Sequence, residues 1–392
     1  MTQRIYLFNP DNDLALAHGG GHYIAPPFAQ KMQNDLCALP MWYAEPGSMV
    51  LVADEAMREW VDSTSERLGF TIKGITPDSL AKANDASFYP WGWSGTIKKR
   101  LVKRGVKAHL LPSDAAMEQV RLLAHRRNSI AMHHFIQERT SLQLSPVPVE
   151  YDDFNEVLDF ATKHPGSYIK MPWSGSGQGV YHAIEPGTIE FERWCKGALK
   201  RQESLLCEVG LDRILDFALE FKCENGKAEL LGYSVFESDF HSQYNSGIVG
   251  SKQHLYDIIA SKYPPLHDII PTVTEAVSHI YAANYEGFLG VDMLLYNDGG
   301  TTKLNPCVEV NLRATMGLVT CMVGEHILPK GTVGRFKIEY SKSGFPVLQE
   351  NRIYLPFCPT RNIVRILIWV KTFSREHKVA ELAAPSHCRN YP

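Results

Sequence analysis

Two textures meet at Pro146-Val147-Pro148, and the change between them limits what this chain can fold into. Before it, short apolar runs alternate with helical patterns. "RIYLFN" (4–9), "SMVLVAD" (48–54), "GFTIKGITP" (69–77) and "KAHLLPS" (107–113) read as buried strands. "PPFAQKMQNDLCALP" holds a helix between prolines, and "SGTIKKRLVKRG" (94–105) a helix closed by glycine. Strand, helix and strand at this spacing predict a parallel sheet with helices on its faces. Ser113 then caps one long expected helix through residues 114–139.

After the prolines the pattern turns to hairpins. "DDFNEVLDFATKH" is an amphipathic helix, "SYIKM" a strand, and "GVYHAI" its return after a Gly/Ser loop. "TIEFERWCKGALKRQ" is a second helix, and "SLLCEVG" a strand ending in an acid and a glycine. "LDFALEFKCENGKAELLGYSVFE" folds back at Asn-Gly, and "IIPTVTEAVSHIYAANY" follows as helix. "GFLGVDMLLY" and "KLNPCVEVNLRATMG" close a last pair over "NDGGTT". The expected class is therefore α/β followed by α+β.

Composition excludes several roles. The chain has 392 residues, enough for two or three domains, with 44% hydrophobic and 21% charged residues. A net charge of -3 gives no electrostatic case for nucleic acid or an anionic membrane as partner. No apolar run reaches the ~18 residues of a membrane span, and "MTQRIYLFNPDND" does not read as a secretory signal. Eight scattered cysteines without a Cys-x-x-Cys pair predict reduced thiols in a cytoplasm, not a disulfide framework or zinc site.

Three clusters carry chemistry. In "IKMPWSGSGQGVYH" (169–182), Lys170 ends a strand and a glycine-rich loop follows. Backbone N–H groups of such a loop approach phosphate oxygens freely, and lysine adds a compact positive charge. No Gly-Lys-Ser/Thr follows and the next segment reads as strand, so this is neither a P-loop nor a dinucleotide fingerprint. A plain hairpin tip is the competing reading. In the second cluster, alternation puts Glu309, Asn311 and Arg313 on one strand face and Val308, Val310 and Leu312 on the other. With Asp292 on the neighbouring segment they offer hard oxygen ligands for Mg²⁺ and an arginine for phosphate; a solvated edge face is the alternative. The third is "LLCEVGLDRILDFALEF", where Glu208 closes a strand before a short hinge, or before an ordinary strand connection.

A strand lysine with a Gly/Ser flap, an acid-ended hinge, and Gly-x-Asp followed by Glu-x-Asn-x-Arg, in that order, resemble the ATP-grasp superfamily. The resemblance implies a Rossmann-like preceding domain (1–112) and two ATP-grasp subdomains (113–200, with the flap, and 201–345), leaving a divergent, basic tail (346–392). It implies Lys170 on the α/β-phosphates, Ser176 and Gly177 in the flap, and Glu208, Val209 and Leu211 around adenine. Asp216 would meet the ribose, Asp292, Glu309 and Asn311 would hold Mg²⁺ (or Mn²⁺), and Arg313 would sit near the γ-phosphate. The family's basic residue before the flap domain, often in Asp-Lys, is replaced by "AHRRNSIAM", so Arg126, or less directly Arg127, stands in.

The implied activity is ATP-dependent activation of a carboxylate as an acyl phosphate and its transfer to an amine or similar nucleophile. A small-molecule phosphotransferase and a non-catalytic nucleotide-binding protein are the alternatives. Candidates for choosing the acceptor are "FNPDND" (8–13), "HGGGHY" (18–23) and "PWGWSG" (90–95); Asn9, Asp11 and Asp13 sit where a parallel strand ends. Their polar side chains serve equally as turn-forming groups. Trp91 and Trp93 read either as core aromatics or, as the flanking glycines favour, as part of an exposed loop, and His133–His134 are expected on a helix surface.

Overall fold

The computed structural model describes residues 3–19, 23–83, 85–175, 179–238, 244–328, 331–340, 352–356 and 364–372. Its first third is a parallel sheet of β1 (Gln3–Leu7), β2 (Met49–Leu51), β3 (Lys73–Ile75) and β4 (Ala86–Pro90), in the order β3-β2-β1-β4. All three pairings are parallel. The chain steps outward from β1 through β2 and β3, then returns to the other side of β1 with β4. The C-terminal ends of β1 and β4 therefore flank a switch point, where open sheets gather ligands.

One expected strand is corrected. Residues 107–113 bury only Leu111 and form a short 3₁₀ turn at Ala108–Leu110. The fourth strand is β4, whose alternate residues Ala86, Phe88 and Pro90 point into the core.

Helices α1 (Asn12–His18), α2 (Pro27–Asp35), α3 (Glu55–Leu68) and α4 (Gly95–Lys103) complete this part. Two helices, α5 (Asp114–Leu123) and α6 (Arg127–Gln137), occupy the stretch expected to be one. The break has a local cause. Asn128 Nδ2 donates to the carbonyls of Leu122, Leu123 and His125, and the Arg127 N–H donates to His125 Nδ1. These bonds satisfy groups that would otherwise continue the helical ladder. The kink brings Arg126 to the start of α6, 6% exposed.

A second sheet is antiparallel, in the order β5-β8-β6-β7: β5 (Val149–Tyr151), β6 (Ser167–Lys170), β7 (Val180–Ala183) and β8 (Leu205–Glu208). Helix α7 (Phe154–Lys163) is capped by Asp153, which accepts the N–H groups of Asn155 and Glu156. With α8 (Ile189–Gln202) it buries Val157, Ala161, Phe191 and Cys195 against Ile169 and Cys207.

The third sheet has eight strands in the order β13-β12-β9-β10-β11-β14-β16-β15, all pairings antiparallel. They are β9 (Asp212–Glu224), β10 (Lys227–Ser238), β11 (Tyr244–Val249), β12 (Gly287–Asp298), β13 (Thr301–Asn311), β14 (Thr332–Tyr340), β15 (Arg352–Pro356) and β16 (Val364–Thr372). The β9–β10 turn is Asn225-Gly226, both with positive φ (52° and 73°), as a type I′ hairpin requires. The last two strands come from within residues 346–392, so that stretch contributes to the sheet.

Helices α9 (Lys252–Lys262) and α10 (Leu266–Val277) cover one face, where Phe217, Leu219 and Phe221 meet Leu255, Ile269 and Val273. Each such buried Phe or Leu contributes ~1.5–3 kcal/mol. Helix α11 (Met316–His326) joins the halves: Leu318, Val319 and Val323 share a core cluster with Tyr6, Phe8 and Val50 of the parallel sheet. No helix among the described residues is long and apolar enough to cross a membrane. The six described cysteines are buried and none forms a disulfide with another described residue; Cys358 and Cys388 lie outside the described residues.

Candidate active site

Lys170 ends β6 and is 7% exposed. Its Nζ donates to both carboxylate oxygens of Glu208 at 2.7 Å and to the Val308 carbonyl at 3.3 Å. Glu208 ends the neighbouring β8, so antiparallel pairing of two short strands sets this contact. The Val308 carbonyl ties the lysine to the large sheet.

Arg126 fastens the base of the Gly/Ser loop. Its guanidinium donates to the Met171 carbonyl (2.6 Å), the Ser174 hydroxyl and Glu309 Oε1 (2.7 Å), and its own N–H to the Pro172 carbonyl (3.0 Å). The buried Nε–H has no partner among the described residues, an unspent donor beside the cleft.

Asp292 on β12 stands opposite Glu309 on β13, immediately before a register shift. Burial, then the negative charge of Glu309, pushes the Asp292 carboxyl up to about 7, while Arg313 and an Asn311 hydrogen bond act the other way. Asn311 Nδ2 donates to Asp292 Oδ2 at 2.9 Å, and Asn311 Oδ1 accepts from Arg313 Nη2 at 2.9 Å. Arg313 Nε also donates to the Asp13 carboxylate at 2.9 and 3.0 Å. Burial opposes the Arg313 charge, but the charge and hydrogen bonding of Asp13, with Glu309 and Asp292, raise its pKa above the ordinary value.

The parallel sheet reaches this place through its switch-point loops. The Ala314 N–H donates to the Trp91 carbonyl at 2.7 Å. The Asn9 amide spans Gly92, donating to its carbonyl at 2.8 Å and accepting its N–H at 3.3 Å. Gly92 is needed there: a Cβ would lie 2.3 Å from the Asn12 amide and 3.0 Å from Arg313 Cβ. Asp13, Trp173, Ser174, Glu309 and Asn311 line the resulting cleft. A second cavity, of about 350 Å³, opens at the ends of β1 and β2 among Leu7, Leu51, Ile97, Gln33, Arg100 and Arg104.

No protein-family model matches the sequence, and no curated protein does. Solved structures do match. Biotin carboxylase from Campylobacter jejuni, crystallised as a βγ-ATP complex, aligns with TM-score 0.53 and 12% identity over 95% of this chain and 88% of its own. The biotin carboxylase domain of 2-oxoglutarate carboxylase from Hydrogenobacter thermophilus, with MgADP and bicarbonate, gives 0.51 and 10% over 94% and 86%. The chain has the ATP-grasp fold.

Within this ATP-grasp fold, hydrogen bonds and ion pairs tie together most of the residues singled out from sequence. Lys170 with Glu208, Arg126 with Glu309, and Asp292 with Asn311 and Arg313 form three linked groups. Asp216 lies on β9 two residues from Ala218, the strand partner of Asp292, and pairs with Arg213 at 2.6 Å; Val209 and Leu211 lie in the connection from β8 to β9. Arg127 points elsewhere, to Glu150 at 3.0 Å. Ser176 and Gly177 lie outside the described residues.

Two aromatic or histidine expectations are corrected. Trp91 is 4% exposed, packed edge-on against Phe8, because its loop is pressed between the parallel sheet and the Arg313 segment. His133 is fully buried, with Nε2 3.0 Å from the Cys307 carbonyl; burial lowers its pKa to about 4. A carbonyl only accepts, so Nε2 carries the proton of the neutral ring.

Sequence reasoning missed Glu220. It is 1% exposed, behind the start of α11, and accepts the Thr315 hydroxyl at 2.7 Å. The available signal was a lone acid in the apolar run "FALEF". No group of three or more His, Cys, Asp and Glu forms a cation site among the described residues. The set Asp292, Glu309 and Asn311 instead combines two carboxylates with an amide. That donor chemistry fits Mg²⁺ completing its shell with phosphate and water oxygens.

Proposed function

We propose that this protein is an ATP-dependent ligase that activates a carboxylate as an acyl phosphate and joins it to an amine or similar nucleophile. The observation that carries the reading is the cleft itself: an ATP-grasp fold with lysine, two arginines, four carboxylates and an asparagine converging where the parallel sheet meets the large sheet. The two similar biotin carboxylase structures, crystallised with adenine nucleotides, agree with it.

In this reading Lys170 and Arg126 bind the phosphates, and Glu208, Val209 and Leu211 border adenine, with Asp216 at the ribose. Asp292, Glu309 and Asn311 would hold Mg²⁺ (or Mn²⁺), which when bound neutralises phosphate charge. Arg313 stabilises the negative charge of the moving phosphoryl group. Ser176 and Gly177 belong to a flap that excludes water from the acyl phosphate. Residues 1–112 form the domain that selects the acceptor, whose cavity of about 350 Å³ suits a small molecule. Residues 113–200 and 201–345 are the two ATP-grasp subdomains, and 346–392 extend the second. The protein works in the cytoplasm, without nucleic acid or membrane.

Lys170→Ala tests the nucleotide site by calorimetry with Mg²⁺ and a non-hydrolysable ATP analogue. Loss of a charge-assisted contact of ~1.5–3 kcal/mol weakens binding about ten- to a hundredfold. The variant also leaves Glu208 facing the phosphates unneutralised, so Lys170→Ala/Glu208→Gln is measured beside it. The double variant recovers part of the loss and stays at least about tenfold weaker than wild type. Unchanged affinity in both removes Lys170 from the site. An ATP-consumption screen with pools of carboxylates and amines then decides the reaction: ADP, phosphate and a new amide support the ligase. A phosphorylated product marks a phosphotransferase, and tight binding without turnover a nucleotide-binding protein.

A further inference from the structure

We propose that Asp13, carried by the N-terminal parallel sheet, is the positioning residue for Arg313, and that through it the acceptor-side domain sets the geometry that stabilises the transferring phosphoryl group. The proposal rests on the nucleotide reading above.

The pair joins residues 300 positions apart and is two-pronged: Arg313 Nε lies 3.0 and 2.9 Å from the Asp13 oxygens, and Nη2 lies 2.9 Å from Oδ2. Such side-on pairing fixes the plane of a guanidinium, which a single contact does not. The other described Arg313 bonds run to Asn311 Oδ1 (2.9 Å) and the Ala314 carbonyl (3.1 Å). Asn311 belongs to the proposed metal set. Once its oxygen turns to a cation, Arg313 gains a free N–H for phosphate, and Asp13 keeps the arginine from following the asparagine.

Asp13 is itself braced. It sits in the first turn of α1, directly after Asn12, which packs on Gly92 beside Arg313 Cβ. Gly175, at the base of the Gly/Ser loop, comes so close that a Cβ there would lie 2.4 Å from Asp13 Oδ2. One carboxylate thus touches the loop base and the arginine together, while its backbone belongs to the acceptor-side sheet. Movement of the β1 or β4 loops around an acceptor would be felt at Arg313.

The test separates positioning from mere folding. Wild type, Asp13→Asn, Arg313→Gln and the double variant are titrated with Mg²⁺-ADP plus aluminium fluoride, which mimics a phosphoryl group in transit, and separately with Mg²⁺-AMP-PNP. We expect Asp13→Asn to weaken the aluminium fluoride complex about thirtyfold, within the range for residues that orient a contacting group. AMP-PNP affinity stays within about threefold, because a transition-state interaction is removed. In the Arg313→Gln background, Asp13→Asn has no further effect. Equal loss on both ligands, or an undiminished Asp13→Asn loss without Arg313, overturns the proposal. Asp13→Asn leaves a buried guanidinium without its counter-charge and could fail to fold. The double variant carries neither charge, so its comparison with Arg313→Gln still decides: equal aluminium fluoride affinities support positioning, and a further loss overturns it. Wild type that binds no Mg²⁺-ADP defeats the nucleotide reading, and this proposal with it, at the first titration.

Discussion

Glu309→Gln lowers ATP turnover about a thousandfold while the protein stays folded. The size is that of removing one preorganised charge-stabilising group, ~4 kcal/mol. Glutamine keeps the shape and still accepts from Arg126, which Glu309 now meets at 2.7 Å. What disappears is one of the two charges facing a hard cation. The same charge helps raise Asp292, so that carboxyl ionises at lower pH in the variant. Arg126 loses part of its counter-charge, costing ~1–3 kcal/mol of stability. Leu312→Ala, three residues along, gives the reverse pattern. Its side chain is 3% exposed in the core beneath the large sheet, and truncation costs ~2–5 kcal/mol. Turnover per folded molecule is retained. Melting temperature and ADP release, measured on both variants, separate the two roles. A Glu309→Gln enzyme with near wild-type turnover would falsify the metal assignment.

The contrast between these two residues was legible in the sequence because strand alternation is local. Polar Glu309 and Asn311 against apolar Val310 and Leu312 need no partner to be seen. The Asn-Gly turn of β9–β10 and the Asp153 cap are legible for the same reason: the signal lies within a few residues. What stayed hidden depends on distant groups. No local pattern announces that Asp13 meets Arg313, or that Trp91 is buried when its loop contacts Ala314. The break between α5 and α6 also escaped, because helical periodicity runs through it and the Asn128 and His125 hydrogen bonds override propensity. Strand β4 leaves little trace in the sequence, since "ASFYP" is short and polar at alternate positions. It is a strand because β1 offers it a parallel edge.

Glu220 depends on such distant contacts and carries the largest expected effect on stability. Its carboxyl sits among groups that leave it little room: a Cβ at Gly317 would fall 2.1 Å from Oε1, and one at Gly290 3.0 Å from Oε2. Burial pushes its pKa up to about 8; the Thr315 hydrogen bond and Arg313 oppose this, and the nearby Asp292 adds to it. The folded value lies above the unfolded one, ordinarily ~4.3 for a glutamate. Between them the folded protein holds a proton that the unfolded chain has released. Stability therefore falls as pH rises through this window, and levels off above about 8. Glu220→Gln resembles the protonated form and cannot ionise. Urea unfolding at pH 5.5, 7 and 8.5 should show the variant already ahead by roughly 1.5 kcal/mol at the lowest pH, which lies above the unfolded value. The gap then widens in favour of glutamine, toward a difference on the order of 3–5 kcal/mol at the highest. Asp292 titrates in the same range but is present in both proteins, so the difference between the curves belongs chiefly to Glu220. Parallel curves across the three pH values would mean that Glu220 ionises as easily in the fold as in water, and that the pocket behind α11 is not closed around it.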